Sequence, residues 1–597
     1  MAGTGERGDP WEHDPGPTVA SGWPALFAAT PNYRGLGTAV LGREAFRWHL
    51  GPMFFRGRLD GSAKVVVVGQ EGAQDESLSH RSFTGGTGAR MQHFLRTLGL
   101  DRSYLFLNSF VYPIFGQYTD DLRPLAQDPR SPIVAHRHRI LDKAVVDGDV
   151  RLVVAVGRAA KESIATWVEA HGGDADPERL DQADRGGLPA RVRLVGVLHP
   201  GSAAGGSTGA IKADFQRAVH LVAGWLAGDP GWLPADPGMP RDLAKPYAYS
   251  SAALPFRDFP FGTCPRLGRG GTSSNRSDDQ RAIRLFSAHG DYNAAGANLH
   301  DPTSATGSRD GYADDPGDLP YEPPKAHPEA FDPGPPAALA RLLAGFEPGF
   351  RWPDFAALGV TADPSFGTGP VYRGRFAQLG LVLLADQASE DDLFTGRALS
   401  GDAGQRLARF LTAAGLTSGY LVLRTLPVDT TDLGQAARNA LLDRPEVVAW
   451  QREVLRRVLA ANSDVGALLA VGPGAQRLAP SVAPVGLGVL PMAAAGASGA
   501  AANWQQVLSG LAGRAYHKDI PSPSFTLGGG RGQLPRIDLP YGALRWLGTS
   551  GDRGVRPTDL DSGRPSPDYR KLFAPGWVAK LAPAPLSAAE QDAADKL

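Results

Sequence analysis

The sequence predicts an α/β protein of two tandem three-layer α/β/α domains, each built on a roughly four-stranded parallel sheet. Three observations predict it: short apolar runs of strand length recur along the chain, an amphipathic helical pattern lies between them, and one long stretch is repeated without a gap.

The runs come first. Val65–Val68, Tyr104–Asn108, Leu152–Val156 and Leu194–Leu198 are short and continuously apolar, as expected of strands covered on both faces of a parallel sheet. Between the first two, Met91, Phe94, Leu95 and Leu98 fall at i, i+3, i+4 and i+7, one face of a helix, and Gly99 follows where helices commonly end. Open sheets of this kind bind ligands at the carboxyl ends of their strands.

The repeat comes next. The stretch VVVVGQEGAQDESLSHRSFTGGTGARMQHFLRTLGLDRSYLFLNSF from Val65 aligns with LVLLADQASEDDLFTGRALSGDAGQRLARFLTAAGLTSGYLVLRTL from Leu381. Gly85, Gly88, Arg90, Phe94, Leu95, Gly99, Leu100, Tyr104 and Leu107 meet identical residues at Gly401, Gly404, Arg406, Phe410, Leu411, Gly415, Leu416, Tyr420 and Leu423. GPMFFRGRL from Gly51 resembles GPVYRGRF from Gly369, VVAVG from Val153 resembles LLAVG from Leu468, and LPFRDFPFG from Leu254 matches LPRIDLPYG from Leu534. A series of matches in the same order reads as a duplication.

The expected organisation is a disordered N-terminus (1–22), a first domain (23–267), a Gly/Pro/Asp-rich linker (268–336), a second domain (337–553) and a tail (554–597). With 75 Gly and 50 Pro, the chain has ample residues for such connections. A formal net charge of −1 excludes bulk electrostatic capture of nucleic acid, so any DNA contact must come from local patches. Cys264 is the only cysteine, which excludes an intrachain disulfide, a cysteine zinc site and a thiolate-held iron–sulfur cluster; no metal or cofactor is expected. No apolar run reaches the roughly 20 residues of a membrane span, and the polar, acidic start does not resemble a signal peptide. A cytoplasmic protein without a membrane partner is expected.

Three short motifs could carry chemistry. Gly69-Gln70-Glu71-Gly72 follows the first strand, Asn108 closes the second, and His199-Pro200-Gly201-Ser202 follows the fourth. Singly, each has a structural explanation: a capping carboxylate, an Asn bonded to its own loop, and a turn histidine. His136-Arg137-His138-Arg139, the densest basic cluster of the first copy, and Arg452, Arg456 and Arg457 in the second are expected to be solvated helix faces.

Taken in order, the motifs resemble the uracil-DNA glycosylase superfamily. The matching positions are Gly69-Gln70-Glu71, then Ser82-Phe83 with Phe83-Thr84-Gly85-x-x-Gly88, then Asn108, then His199-Pro200-Gly201-Ser202, within about 51–225. The resemblance implies a DNA glycosylase that hydrolyses the N-glycosidic bond of a deaminated or modified, uracil-like base after flipping it from the stack. It implies catalytic roles for Glu71, orienting or activating water, and for His199, stabilising the departing anionic base. It implies substrate binding by Gln70 through its backbone, by Phe83 through stacking, by Asn108 through the base edge, and by Ser202. DNA is the implied partner and base-excision repair the implied setting. Gly72 departs from the family's proline, which leaves the water-binding turn more flexible.

The second copy lacks this set. Asp386, Gln387, Leu399 and Arg424 stand at the positions of Gln70, Glu71, Phe83 and Asn108, and aligning Pro491 with Pro200 puts Leu490 at the histidine position. It is expected to be a degenerate, non-catalytic unit. Two other functions fit the sequence: a non-catalytic nucleic-acid-binding or scaffold protein on the same fold, and an N-glycosidic hydrolase or transferase acting on nucleosides. The sequence does not specify the oligomeric state, although tandem domains suit a pseudo-dimeric monomer.

Overall fold

In the computed structural model the described residues are 8–48, 51–72, 76, 79–201, 208–241, 243–263, 282–285, 330–360, 371–389, 391–431, 433–512, 514, 524–528, 534–543, 554–555, 570–573 and 582–597. The first sheet consists of β1 (Arg56–Gly57), β2 (Val65–Gly69), β3 (Tyr104–Asn108), β4 (Leu152–Val156) and β5 (Arg193–Val197), in the spatial order β1-β3-β2-β4-β5. The last four are mutually parallel, as expected from their apolar runs, but β1 adds a short antiparallel edge against β3. Each sheet is therefore five-stranded and mixed rather than four-stranded and parallel.

The alternation along β2 shows why both faces must be covered. Val65 and Val67 pack with Phe94, Leu95 and Phe215 on one side, and Val66 and Val68 with Phe55, Leu105 and Ile164 on the other. Successive side chains of a strand point to opposite faces, so an all-valine strand is stable only between two layers. The helices Gly86–Thr97 and Thr208–Gly228 cover one face and Arg158–Ala170 the other.

The second unit repeats this topology. After β6 (Ala282–Leu285), the strands β7 (Tyr372–Gly374), β8 (Leu381–Ala385), β9 (Tyr420–Arg424), β10 (Ala467–Val471) and β11 (Val489–Met492) are ordered β11-β10-β8-β9-β7, the same arrangement read from the other edge. β7 is again the antiparallel edge. Each unit has the same buried anchor. Arg56 Nη1 donates to Asp258 Oδ2 at 2.6 Å and Tyr104 Oη to the same oxygen at 2.7 Å. Arg373 Nη1 and Tyr420 Oη donate likewise to Asp538 Oδ2 at 2.7 and 2.5 Å.

Most of the expected linker lies outside the described residues, but the described parts of the connecting segments make contacts that composition does not predict. β6, from the expected linker, pairs antiparallel with β13 (Arg570–Phe573), which pairs with β12 (Gly554–Val555), both from the tail. The terminal helix Ala588–Ala594 docks on the first unit, where Glu590 Oε1 accepts from the Asn32 N–H at 2.7 Å. Within the N-terminus expected to be disordered, Asp14 is buried and ion-paired with Arg81. Composition reports only that these segments lack a periodic apolar face; the contacts of their described residues are long-range.

The two units exchange their terminal aromatics. Phe261, from the end of the first unit, packs in the core of the second with Val371, Tyr372 and Leu423. Tyr541, from the end of the second, packs in the core of the first with Phe27 and Phe55. Each unit therefore lends an aromatic side chain to the core of the other.

Candidate active site

The chain leaves β2 toward β3 on one side and leaves β4 toward β5 on the other, so the carboxyl ends of the adjacent strands β2 and β4 flank a topological switch point, the place where open α/β sheets leave a crevice. Gly69 ends β2 beside Asn108, which ends β3. A Cβ on Gly69 would lie 2.4 Å from Phe83 Cζ and 3.0 Å from Asn108 Oδ1, so only glycine lets the ring and the amide converge on this backbone.

Phe83 is held in the left-handed region at φ 57° and is 6% exposed, its ring 5.0 Å from that of Phe106. A bulky residue keeps such a conformation only where its surroundings over-determine it. Here Glu76 Oε1 accepts from the Thr84 N–H at 2.9 Å, Ser82 N–H donates to Phe55 O at 2.9 Å, and Ser82 Oγ donates to Met53 O at 3.0 Å. Gly88 lies so close beneath the loop that a Cβ there would sit 1.8 Å from Phe83 O.

Asn108 is 7% exposed, with Nδ2 3.3 Å from Ser82 Oγ; with the amide turned over, its oxygen accepts from the Gly72 N–H at 3.2 Å. One orientation ties the amide to the Ser82 turn, the other to the Gly72 turn. Gly72, at the position of the family's proline, packs under Met53: a Cβ there would approach Met53 Sδ to 1.9 Å.

Gln70 and Glu71 follow the strand. Gln70 O accepts from the Phe110 N–H at 2.8 Å, which zips this turn to the segment after β3. Glu71 Oε2 accepts from the Ile114 N–H at 2.7 Å and Oε1 from Gln70 Nε2 at 3.2 Å, so its carboxylate is turned toward the 109–114 segment.

His199 arrives from the other side of the switch point. Its turn is fixed by Leu198 N–H donating to Asp214 Oδ2 at 2.7 Å, and by Arg90 Nη1 and Tyr249 Oη donating to Pro200 O at 2.6 and 3.2 Å. The Gly201 N–H lies 3.0 Å from His199 Nδ1. An Nδ1 that accepts leaves the proton of the neutral ring on Nε2, which makes Nε2–H a hydrogen-bond donor. The ring abuts Gly157, the residue after β4, where a Cβ would lie 3.1 Å from His199 Cβ; Gly201 lies next to Thr87 at the start of the helix that follows Phe83. Ser202 lies outside the described residues.

The structure thus gathers Phe83 and Asn108 tightly around Gly69, brings His199 to the same sheet edge, and ties Glu71 to a neighbouring loop. Sequence reasoning passes over Glu76, Tyr249 and Arg81, which hold these turns. For Arg81 a signal existed, since Arg397 occupies the aligned position in the second copy.

The second basic cluster is solvated at Arg452 and Arg456, as expected, but the first is not. His136 and Arg137 are buried, and His136 Nε2 lies 2.9 Å from Leu26 O. Burial pushes the His136 imidazole down to about 4. Arg456 and Arg457 both pair with Glu453, whose carboxyl is held down at about 2 by Arg456 first, against the opposing effect of burial. Among the described residues, no group of three His, Cys, Asp or Glu is placed to hold a metal ion, and no helix is long and apolar enough to cross a membrane.

The equivalent edge of the second unit is filled. Leu399 takes the position of Phe83 at φ 49°, and Arg424, paired in register with Ala385, is buried with Nη2 donating to Gln387 Oε1 and Val428 O, both at 2.7 Å. Strand register corrects one assignment. Val471 pairs with Met492 as Val156 pairs with Val197, so Ala494, not Leu490, stands at the histidine position. The sequence alignment slipped because Pro491 lies inside β11 rather than after it.

Residues 56–220 fit the family model described as the Uracil DNA glycosylase superfamily. Comparison with curated proteins finds no match. The matched segment begins at β1, contains all five strands of the first sheet and both turns that carry Phe83 and His199, and ends within the helix Thr208–Gly228. Over residues 56–220, the first unit is similar to the uracil DNA glycosylase superfamily.

Proposed function

We propose that the first unit hydrolyses the N-glycosidic bond of a deaminated or modified base in DNA. Water adds to the sugar C1′ and gives up a proton. The C1′–N bond breaks with its electron pair going to the base, leaving a free base and an abasic site. A base inside a duplex is out of reach, so it must first be extruded and stacked. Phe83 provides the stacking face, Asn108 and the Gln70 backbone read the base edge, and His199 Nε2–H stabilises charge on the departing base. Glu71 orients the water, and Ser202 contributes to substrate binding.

The observation that carries this reading is the His199 turn. A backbone N–H on Nδ1 presets the imidazole as a neutral Nε2 donor at the sheet edge where Phe83 and Asn108 converge. A preset donor is what developing negative charge requires, because no reorganisation is needed at the moment of bond cleavage. The test is an abasic-site assay on single- and double-stranded DNA containing uracil, hypoxanthine, xanthine or a hypermodified base. Abasic product on at least one substrate, lost in His199→Ala, is expected; no product on any of them refutes the proposal.

A second reading, retention of a flipped base without cleavage, is favoured by one observation: both Glu71 oxygens already accept hydrogen bonds from the protein. Tight, base-dependent DNA binding with no abasic product would select it.

A further inference from the structure

The second unit has lost the residues of the candidate site, yet its end reaches into the first unit beside the loop that carries Phe83. Arg81, two residues before Phe83, is 1% exposed. Its Nε donates to Asp14 Oδ2 at 2.7 Å, and its Nη1 to Tyr541 O of the second unit at 2.9 Å and to His80 O at 2.8 Å. The Tyr541 ring is buried among Phe27, Phe55 and Phe331. The next residue, Gly542, lies beside the loop, where a Cβ would be in ordinary contact, 3.4 Å from both His80 Cβ and His80 O.

The same device runs in reverse. Arg397 Nε donates to Asp332 Oδ2 at 2.6 Å and its Nη1 to Phe261 O at 2.7 Å, so the tail of the first unit braces the Leu399 loop. Asp14 and Asp332 are equivalent: each opens an Asp-Pro-Gly turn, and their N–H groups donate to Phe259 O at 2.7 Å and Leu539 O at 2.9 Å. One difference between the two loops bears on strain. The second unit has Gly396 at φ 65° where the first has His80 at φ 58°. A glycine takes that conformation readily, whereas His80 and Phe83 both need outside support to hold theirs.

We propose that the second unit serves as a brace for base capture, with Arg81 as the positioning residue that joins its Tyr541–Gly542 end to the Phe83 loop. This rests on the reading of Phe83 as the stacking residue. Arg81 acts through Phe83 and does not touch the base. Loss of the brace therefore affects capture more than the chemical step.

The test uses the full chain with Arg81→Ala, the conservative Arg81→Lys, and Arg397→Ala as the mirror-image control. Backbone hydrogen exchange over residues 79–85 should rise in Arg81→Ala, stay at the wild-type level in Arg397→Ala, and be partly restored in Arg81→Lys. On the best modified substrate, the half-saturating DNA concentration should rise about tenfold in Arg81→Ala, a fraction of the full value of a stacked base, with the limiting single-turnover rate much less changed. Arg397→Ala should excise like wild type. Unchanged exchange in folded Arg81→Ala, or equal loss of capture in Arg81→Ala and Arg397→Ala, overturns the brace. If the wild-type chain excises no base, the functional reading fails, and exchange alone then decides the brace. Should Arg81→Ala not fold, the same measurements on Arg81→Lys decide: wild-type exchange and capture there count against it.

Discussion

Replacing His199 with alanine is the most direct perturbation of the proposed chemistry, because the structure separates what the imidazole does from what holds its turn. The Pro200 carbonyl keeps its bonds to Arg90 and Tyr249, and Leu198 keeps its bond to Asp214, so the backbone should stay in place without the ring. The bond from the exposed Gly201 N–H to the ring can be replaced by water, so losing that bond should cost no more than about 1 kcal/mol. Removing a donor aimed at developing charge costs on the order of 10²–10³ in rate, or roughly 3–4 kcal/mol. The two magnitudes differ enough for experiment to tell them apart. Single-turnover excision by His199→Ala should fall by that factor, while DNA affinity and thermal stability remain close to wild type. This is the signature of an interaction made only in the transition state. The measurement pairs excision with equilibrium binding on the best modified substrate. Wild-type excision by His199→Ala would falsify the assigned site, and equal losses of affinity and rate would make His199 a binding residue only.

Other outcomes follow from the same geometry. Phe83→Leu should fold normally, because Leu399 already holds the equivalent left-handed position, but should lose roughly 1–3 kcal/mol of base-dependent DNA affinity; unchanged affinity removes Phe83 from the pocket. Arg424→Ala should destabilise the second unit by roughly 1–3 kcal/mol, since its buried hydrogen bonds to Gln387 Oε1 and Val428 O are lost, yet at temperatures where both units are folded it should spare single-turnover excision. A loss of excision matching that of His199→Ala would mean that the second unit takes part in the chemistry. The buried imidazole of His136 titrates near 4 in the folded chain and near 6.5 unfolded, so the unfolded state binds the extra proton between those values. Its stabilising contribution is full above about pH 6.5 and is lost as pH falls toward 4, at roughly 1.4 kcal/mol per pH unit. Thermal melts of wild type and His136→Gln across that range should converge as the pH drops; parallel curves would refute the assignment.

Much of this molecule was legible in its sequence because the relevant signals are local. Strand-length apolar runs located β2, β3 and β4 to within a residue, since a strand covered on both faces needs apolar residues at every position. The aligned glycines marked close approaches: Gly88 and Gly404 each lie against the carbonyl of the residue at the Phe83 or Leu399 position. Phe83, Asn108 and His199 could be singled out because each lies a fixed step from a strand end, and the sheet converts those steps into one edge. What the tertiary structure alone decided lies farther apart along the chain. The two-residue strands β1 and β12 are too short to carry a periodicity. Whether Glu71 faces a substrate or Ile114 depends on how two loops meet. The register of β11 against β10 moved the histidine-equivalent position from Leu490 to Ala494. The exchange of Phe261 and Tyr541 and the bond from Arg81 to Tyr541 join residues hundreds of positions apart, where neither partner's local sequence names the other. Burial and conformation follow from neighbouring residues, but which distant surfaces meet is settled only when both units pack and their aromatic ends leave water together.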